Sequence, residues 1–308
     1  MHVVAGVLVD EQGRILIAQR PAGKHLAGMW EFPGGKLESG ESAVVALERE
    51  LDEELGIRVD PASFEACIRV PWRYGERSML LEAMLVRGWT GRPQALDAAA
   101  IAWHPPQDID PAILAPADRP ILAAVRLPAR YVTIAPEATP AATADVVRAT
   151  LARGERLLRL RTTGGEPDVV REAAASVLAE IQACGATLLL DRDIAGALAL
   201  GIGVHLAPAQ LRGLTERPLP STLAVGASCH DADDLERASA VGCDFATLSP
   251  VLPSRDRPDA EPLGWPRFAR LTEAASLPVY AGGGVGPDEL AEARMHAAQG
   301  VAGAFGTG

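Results

Sequence analysis

Glu50, Glu53 and Glu54 stand at positions i, i+3 and i+4, so a helix through them projects three carboxylates from one side. Val44, Leu47, Leu51 and Leu55 recur on an adjoining stripe at helical spacing and give that helix a face to bury. Like charges this close destabilise a fold unless a cation neutralises them, and carboxylates with water suit Mg2+ or Mn2+. Gly34 and Gly35 precede the helix in a loop where backbone can approach a ligand closely. Glycine loop, helix and carboxylates together predict a metal site for a diphosphate.

The elements that must position this site are readable on either side of it. His2 to Val9 and Ile15 to Ala18 are apolar runs separated by Asp10-Glu11-Gln12-Gly13, a hairpin signature. Trp30-Glu31-Phe32 leads into Pro33-Gly34-Gly35, and the acidic helix follows from about Ser42. Phe64–Val70 and Met79–Val86 read as strands joined by a turn near Gly75. Trp103 opens a short stretch ending in prolines, and Leu114–Leu127 holds a closing helix. Strands flanking two helices make an α/β domain of the size expected for one unit.

Past Pro128 the pattern changes. Tyr131–Ala135, Arg156–Arg161, Thr187–Asp191, Gly203–Leu206, Thr222–Gly226, Asp244–Leu248, Pro278–Gly282 and Gly300–Phe305 are short apolar runs. Helical segments such as Asp168–Ala183, Asp231–Val241 and Asp288–Ala298 separate many of them. Eight strands alternating with helices predict a parallel (β/α)8 barrel of the TIM type. The expected domains are residues 1–128 and 129–308.

Bulk properties narrow the function. Lys plus Arg number 29 against 40 Asp plus Glu, a formal net charge of −11. That balance argues against a nucleic-acid polymer as partner, while a single nucleotide bridged by a divalent metal stays open. Cys67, Cys184, Cys229 and Cys243 lie far apart with no metal-type spacing, as free thiols in a reducing compartment would. There is no basic-then-apolar leader and no apolar run of membrane-spanning length. The expectation is a cytoplasmic protein with no membrane partner.

The acidic stretch resembles the Nudix box: a Gly, five residues, a Glu, seven residues, then Arg-Glu-aliphatic-x-Glu-Glu-x-Gly-aliphatic. Gly35, Glu41, Arg49, Glu50, Leu51, Glu53, Glu54, Gly56 and Ile57 fill every fixed position. The resemblance continues through IAQRPAGKHLAGMWEFPGGK, from Ile17, which is similar to the MutT branch. It implies an α/β/α sandwich that hydrolyses oxidised guanine nucleoside triphosphates, such as 8-oxo-dGTP, to monophosphate and pyrophosphate. It also implies metal ligation by the Gly34 carbonyl, Glu53 and Glu54, with Mg2+ as cofactor and Mn2+ as the alternative. Glu50 takes the role of base and Arg49 orients it. A further metal-site carboxylate falls on Asp97, which also reads as a plain turn residue. Arg20 and Arg77 match nucleotide-contacting positions, although an isolated Arg is commonly a solvated charge. Phe32 matches a position lining the base pocket, or else is a core aromatic. Asp118, in PADRP, stands where the MutT pattern has an Asn that reads the base. An Asn donates and accepts, whereas an ionised Asp only accepts. Branches acting on cytidine nucleotides carry a similar Asp, and a helix cap is the bland reading.

In the second domain, LRLRTT (158–163), ALALGIGVHL (197–206), LPVYAGGGV (277–285) and GVAGAFG (300–306) resemble the thiamine phosphate synthase and TenI superfamily. The resemblance implies a phosphate cup that includes Gly283, Gly284 and Gly306, and a thiamine-related phosphate ligand. The chemistry departs from that pattern. Leu190-Asp191-Arg192 replaces an Asn-Asp pair, and Ala207-Pro208-Ala209-Gln210 stands where a Gln and an Asp are expected. Leu252 to Arg257 replaces a Thr-rich, lysine-bearing loop, and Pro250 stands at the TenI histidine position. Losing a metal carboxylate and the loop lysine removes charge neutralisation for a diphosphate leaving group. A binding module without synthase activity, a scaffold, or a partner for a Nudix hydrolase of a thiamine-pathway diphosphate are the remaining expectations.

Overall fold

The first-domain runs form strands β1 (His2–Leu8), β2 (Ile15–Gln19), β3 (Trp30–Glu31), β4 (Arg58–Val59), β5 (Phe64–Tyr74), β6 (Arg77–Val86), β7 (Trp89–Thr90) and β8 (Ala100–His104). Helix α1 (Ala43–Leu55) follows β3, and α2 (Arg119–Arg126) comes after β8. This computed structural model describes residues 1–162, 167–254 and 258–305. Two units separate, Met1–Arg126 and Leu127–Gly308.

In the first unit β6 lies between β1, its parallel neighbour, and β5, its antiparallel one. A second sheet places β2 between β3 and β8, antiparallel to both. Strand alternation decides which helix each side chain meets. Val4 and Leu8 of β1 pack in one cluster with Leu47, Leu51 and Leu55 of α1, while Ala5 and Val7 pack in another with Ile121 and Leu122 of α2. Gly6 falls on the α1 side, where a Cβ would sit 3.3 Å from the Leu51 side chain. The result is an α/β/α sandwich with α1 covering one layer boundary and α2 the other.

Helix α1 starts where the Ser42 hydroxyl accepts from the Val45 N–H at 3.4 Å, and stops at Gly56, whose φ of 67° is left-handed. Of its apolar stripe, Leu47, Leu51 and Leu55 are buried, and Val44 is partly covered. Three first-unit expectations need correcting. The two runs read as a hairpin fall in different sheets, β1 beside β6 and β2 between β3 and β8, and meet across their turn at an isolated Val9–Ile15 bridge. Trp103 does not open its segment but sits near the end of β8, paired with Leu16. The closing helix is shorter than expected: Pro111 and Pro116 begin 3-10 turns, and α2 starts only at Arg119. A proline has no N–H to give an interior helical turn, so each one restarts the chain.

The second unit closes β9 (Arg130–Ile134), β10 (Leu157–Leu160), β11 (Thr187–Asp191), β12 (Gly203–Leu206), β13 (Val225–Cys229), β14 (Phe245–Leu248), β15 (Val279–Gly282) and β16 (Gly300–Gly303) into a parallel barrel. Its helices are α3 (Pro140–Ala152), α4 (Pro167–Ser176), α5 (Leu178–Ala183), α6 (Ile194–Leu200), α7 (Pro208–Gly213), α8 (Ala232–Val241), α9 (Gly264–Glu273) and α10 (Leu290–Met295). Strand β13 begins later than the expected Thr222, because Leu223 N–H donates to Pro220 O at 3.0 Å and folds that stretch into a turn. Along each strand one set of residues faces the helices and the alternate set faces the barrel axis. Leu158, Leu160, Leu188 and Leu190 join the helix-side core. Tyr131, Leu157, Leu189, Phe245 and Tyr280 form a separate cluster inside the barrel. Arg159 and Asp191, two positions beyond Leu157 and Leu189, therefore lie on the inner face nearer the strand C-termini.

Candidate active site

Helix α1 and the β3–α1 loop bring the box residues together. Gly34 N–H donates to Glu54 Oε2 at 2.9 Å, tying loop to helix. Both glycines are required by close approach. A Cβ on Gly34, whose φ is 147°, would fall 2.2 Å from Val4 O. One on Gly35 would fall 2.2 Å from Glu50 Oε1, so the absent side chain is the space in which that carboxylate sits. Arg49 holds the helix surface in order. Its Nε and Nη2 donate to the two Glu41 carboxylate oxygens at 2.9 and 3.1 Å, and Nη1 reaches Glu50 Oε1 at 2.9 Å and Glu53 Oε2 at 3.2 Å. Glu41, with Glu50 next, raises the pKa of the guanidinium still further. Glu53 projects outward, 60% exposed.

Glu54 is the electrostatic centre. Burial pushes its carboxyl up to about 7; Glu31, Glu50 and Asp97 add to the push, and the Gly34 N–H opposes it. Asp97, 58% exposed, lies close enough for its charge to be felt there, but its Oδ2 is held by Lys24 Nζ at 2.6 Å. Among the described residues no three acidic, His or Cys side chains are already gathered as a ligand set. That arrangement is expected of repelling carboxylates, with Glu50 and Glu53 drawn to Arg49 and Asp97 to Lys24. The donor chemistry fits Mg2+ nonetheless: carboxylate oxygens near a loop of glycines, and a central carboxyl, Glu54, partly buried among the charges of Glu31, Glu50 and Asp97.

The base-side residues form a second group. Phe32, 3% exposed, packs in the core shared with α2, and its N–H donates to Asp118 Oδ1 at 2.9 Å. Asp118 therefore bonds across to the β3 loop. Burial pushes its carboxyl up to about 7, with Glu31 adding to this and the Phe32 N–H and Arg20 opposing. Arg20 forms an ion pair with Glu31 and donates from Nε to His25 O at 2.6 Å. Arg77 is exposed at the start of β6, opposite Tyr74, and its side chain makes no hydrogen bond or ion pair among the described residues; it stands apart from the group.

Two members were not anticipated. Glu31 is raised by burial and sits between Arg20, Glu54 and Asp118 electrostatically. Tyr74 is raised by burial too, is affected by the charges of Asp118, Arg20 and Glu31, and packs edge-on against His25 at 5.4 Å. A signal for Glu31 existed in the antiparallel pairing of Ala18 with Glu31, which brings the Arg20 end of β2 beside it. Nothing local marked Tyr74, which reaches the site only through the long β5–β6 hairpin.

In the barrel, Gly283 and Gly284 have φ of 72° and 73°. Cβ atoms there would lie 2.7 Å from Pro250 Cα and 2.5 Å from Pro253 O, so the chain's own loop accounts for both glycines. Gly306 lies outside the described residues, as do Arg255, Asp256 and Arg257. Below the mouth, buried His205 contacts Tyr131 Oη through Nδ1 at 3.0 Å and Ser228 Oγ through Nε2 at 2.9 Å. No helix among the described residues is long and apolar enough to cross a membrane.

Comparison with known proteins separates the units in the same way. The NUDIX domain family matches residues 4–124, and the thiamine monophosphate synthase family matches residues 131–305, more than half of the chain. The chain is 40% identical over 124 residues to a CTP pyrophosphohydrolase of Escherichia coli, a match covering 40% of this chain and 90% of that protein. It is 43% identical over 89 residues to an 8-oxo-dGTP diphosphatase of Proteus vulgaris, covering 29% of this chain and 78% of the relative. It is 29% identical over 154 residues to a putative thiamine-phosphate synthase 2 of Aquifex aeolicus, covering 50% and 83%. The chain thus carries a pyrophosphohydrolase domain, and it belongs to the Nudix family through its first unit and to the thiamine monophosphate synthase family through its second.

Proposed function

We propose that the first unit hydrolyses a nucleoside triphosphate to the monophosphate and pyrophosphate with Mg2+ as cofactor, 8-oxo-dGTP being the preferred substrate. The observation that carries the reading is Glu54: a partly buried carboxylate, fixed to Gly34 N–H, among the charges of Glu31, Glu50 and Asp97. Glu53 and Glu54, with the Gly34 carbonyl, are the groups that would hold the ion, and Asp97 would join them on release from Lys24. When bound, Mg2+ supplies neutralisation of the diphosphate and lowers the pKa of a water. Glu50 takes the proton of the attacking water, its carboxylate kept in place by Arg49 and by the space over Gly35. Arg20, Phe32 and Asp118 position the base, while Arg77 stands apart from them.

A cytidine nucleotide is the second reading, and Asp118 is what favours it. Its Oδ1 is engaged by Phe32 N–H, which leaves Oδ2 for the base. A carboxyl with a pKa about 7 offers that oxygen as acceptor or, when protonated, as donor. Similarity to both a CTP pyrophosphohydrolase and an 8-oxo-dGTP diphosphatase supports each reading in part. The test is a pyrophosphate-release panel with Mg2+ comparing 8-oxo-dGTP, dGTP, CTP, dCTP and thiamine diphosphate. An advantage in kcat/KM for 8-oxo-dGTP is expected. An advantage for CTP or dCTP moves the assignment to cytidine nucleotides, and one for thiamine diphosphate joins the two units in one pathway.

A further inference from the structure

The second unit's family resemblance implies a metal-bridged diphosphate, with Asp191 at a carboxylate position of that site. The residues present do not fit a cation there. Arg159 donates to Asp191 Oδ1 from Nε at 2.9 Å and again from Nη2, and Arg192 Nε lies 3.5 Å from Oδ2. Gln210, in the run where a second carboxylate is expected and none stands, is turned to the backbone: its Oε1 accepts from Ala207 N–H at 3.1 Å and its Nε2 donates to Arg192 O at 2.7 Å. A divalent ion at Asp191 would face two guanidinium groups and one carboxylate.

The same arrangement leaves positive charge over. Asp191 is fully buried, and its Oδ2 accepts no hydrogen bond. Arg159 is 16% exposed on the inner face, and its Nη1 makes no hydrogen bond among the described residues. Arg192 holds a left-handed φ of 64°, a conformation that disfavours any residue but glycine. It is pinned there from both sides, its N–H donating to His205 O at 2.8 Å and its carbonyl held by Gln210. Its side chain remains 53% exposed. Below them His205 stays neutral, held well under its usual range by burial and then by Arg159 and Arg192. Two guanidiniums against one carboxylate, with planar N–H forks, match a phosphate dianion.

We propose that the barrel mouth binds a phosphate group without a divalent cation, Arg159 standing at Asp191 where a metal would stand and Arg159 and Arg192 receiving the phosphate oxygens. This does not depend on the hydrolase reading of the first unit. The test is calorimetric titration of the full chain carrying Glu54→Gln, to silence the first unit's metal site, with inorganic phosphate and with thiamine phosphate, each in EDTA and in Mg2+. Binding of both phosphates, with equal strength in EDTA and in Mg2+, is expected. Adding Arg192→Gly weakens it at least about tenfold, and glycine accepts the same φ, so the fold is kept. Binding that needs Mg2+ and disappears in Asp191→Asn would overturn the proposal, as would silence toward both phosphates.

Discussion

Glu54 is partly and Asp191 fully withdrawn from solvent, yet their surroundings carry opposite charge. Around Glu54 stand Glu31, Glu50 and Asp97, and its own hydrogen bond comes from the neutral Gly34 N–H. Around Asp191 stand Arg159 and Arg192. A carboxylate among carboxylates calls for a cation from outside the chain; one already faced by two guanidiniums does not. Belonging to a family that handles diphosphates therefore says less about metal use than the charges that surround one side chain.

The comparison can be broken first at the chemistry. Glu50→Gln removes the proposed base while leaving Arg49 bonded to Glu41, so kcat should fall about 10²- to 10⁴-fold with an unchanged circular dichroism spectrum. Retained turnover would move the base elsewhere. Gly35→Ala acts on the same group by crowding, since the added methyl falls 2.2 Å from Glu50 Oε1. Displacing that carboxylate by about 1 Å should cost on the order of 10²-fold in kcat/KM.

The third prediction concerns pH. Asp118 has a folded pKa of about 7 against 3.8 for the free group, so the folded chain keeps a proton that the unfolded chain has lost between those values. Its contribution to stability is therefore fully present below about pH 4, declines as pH rises, and is gone above about 7. Asp118→Asn should remove that decline, a gain on the order of 4 kcal/mol at pH 8 relative to pH 4, read from denaturant midpoints across pH. Glu54 slopes in the same direction in metal-free protein, and Mg2+ should flatten its share. The smallest effect belongs to the barrel. Arg192→Gly relieves a left-handed φ at the cost of a more flexible unfolded chain, so the melting temperature should change by the equivalent of about 1 kcal/mol or less.

The box was legible because its function demands fixed spacing on one helix: Arg49, Glu50, Glu53 and Glu54 are local to α1, and Gly34 and Gly35 are a turn away from it. The eight barrel strands were legible as apolar runs, with β13 displaced because Pro220 folds the preceding residues into a turn. What escaped was non-local. Tyr74 joins Asp118 only through the β5–β6 hairpin, and the Phe32–Asp118 bond spans 86 positions of sequence. Lys24 holding Asp97 and Arg159 holding Asp191 are likewise products of folding, and each changes what the acidic residue has left to offer.

Counting and locating Mn2+ on the whole protein, from the electron paramagnetic resonance signal of the free ion, tests the contrast most directly. Binding that is lost in Glu54→Gln and unchanged in Asp191→Asn is the expected result. Binding that survives Glu54→Gln and is lost in Asp191→Asn would place the metal in the barrel and contradict the account.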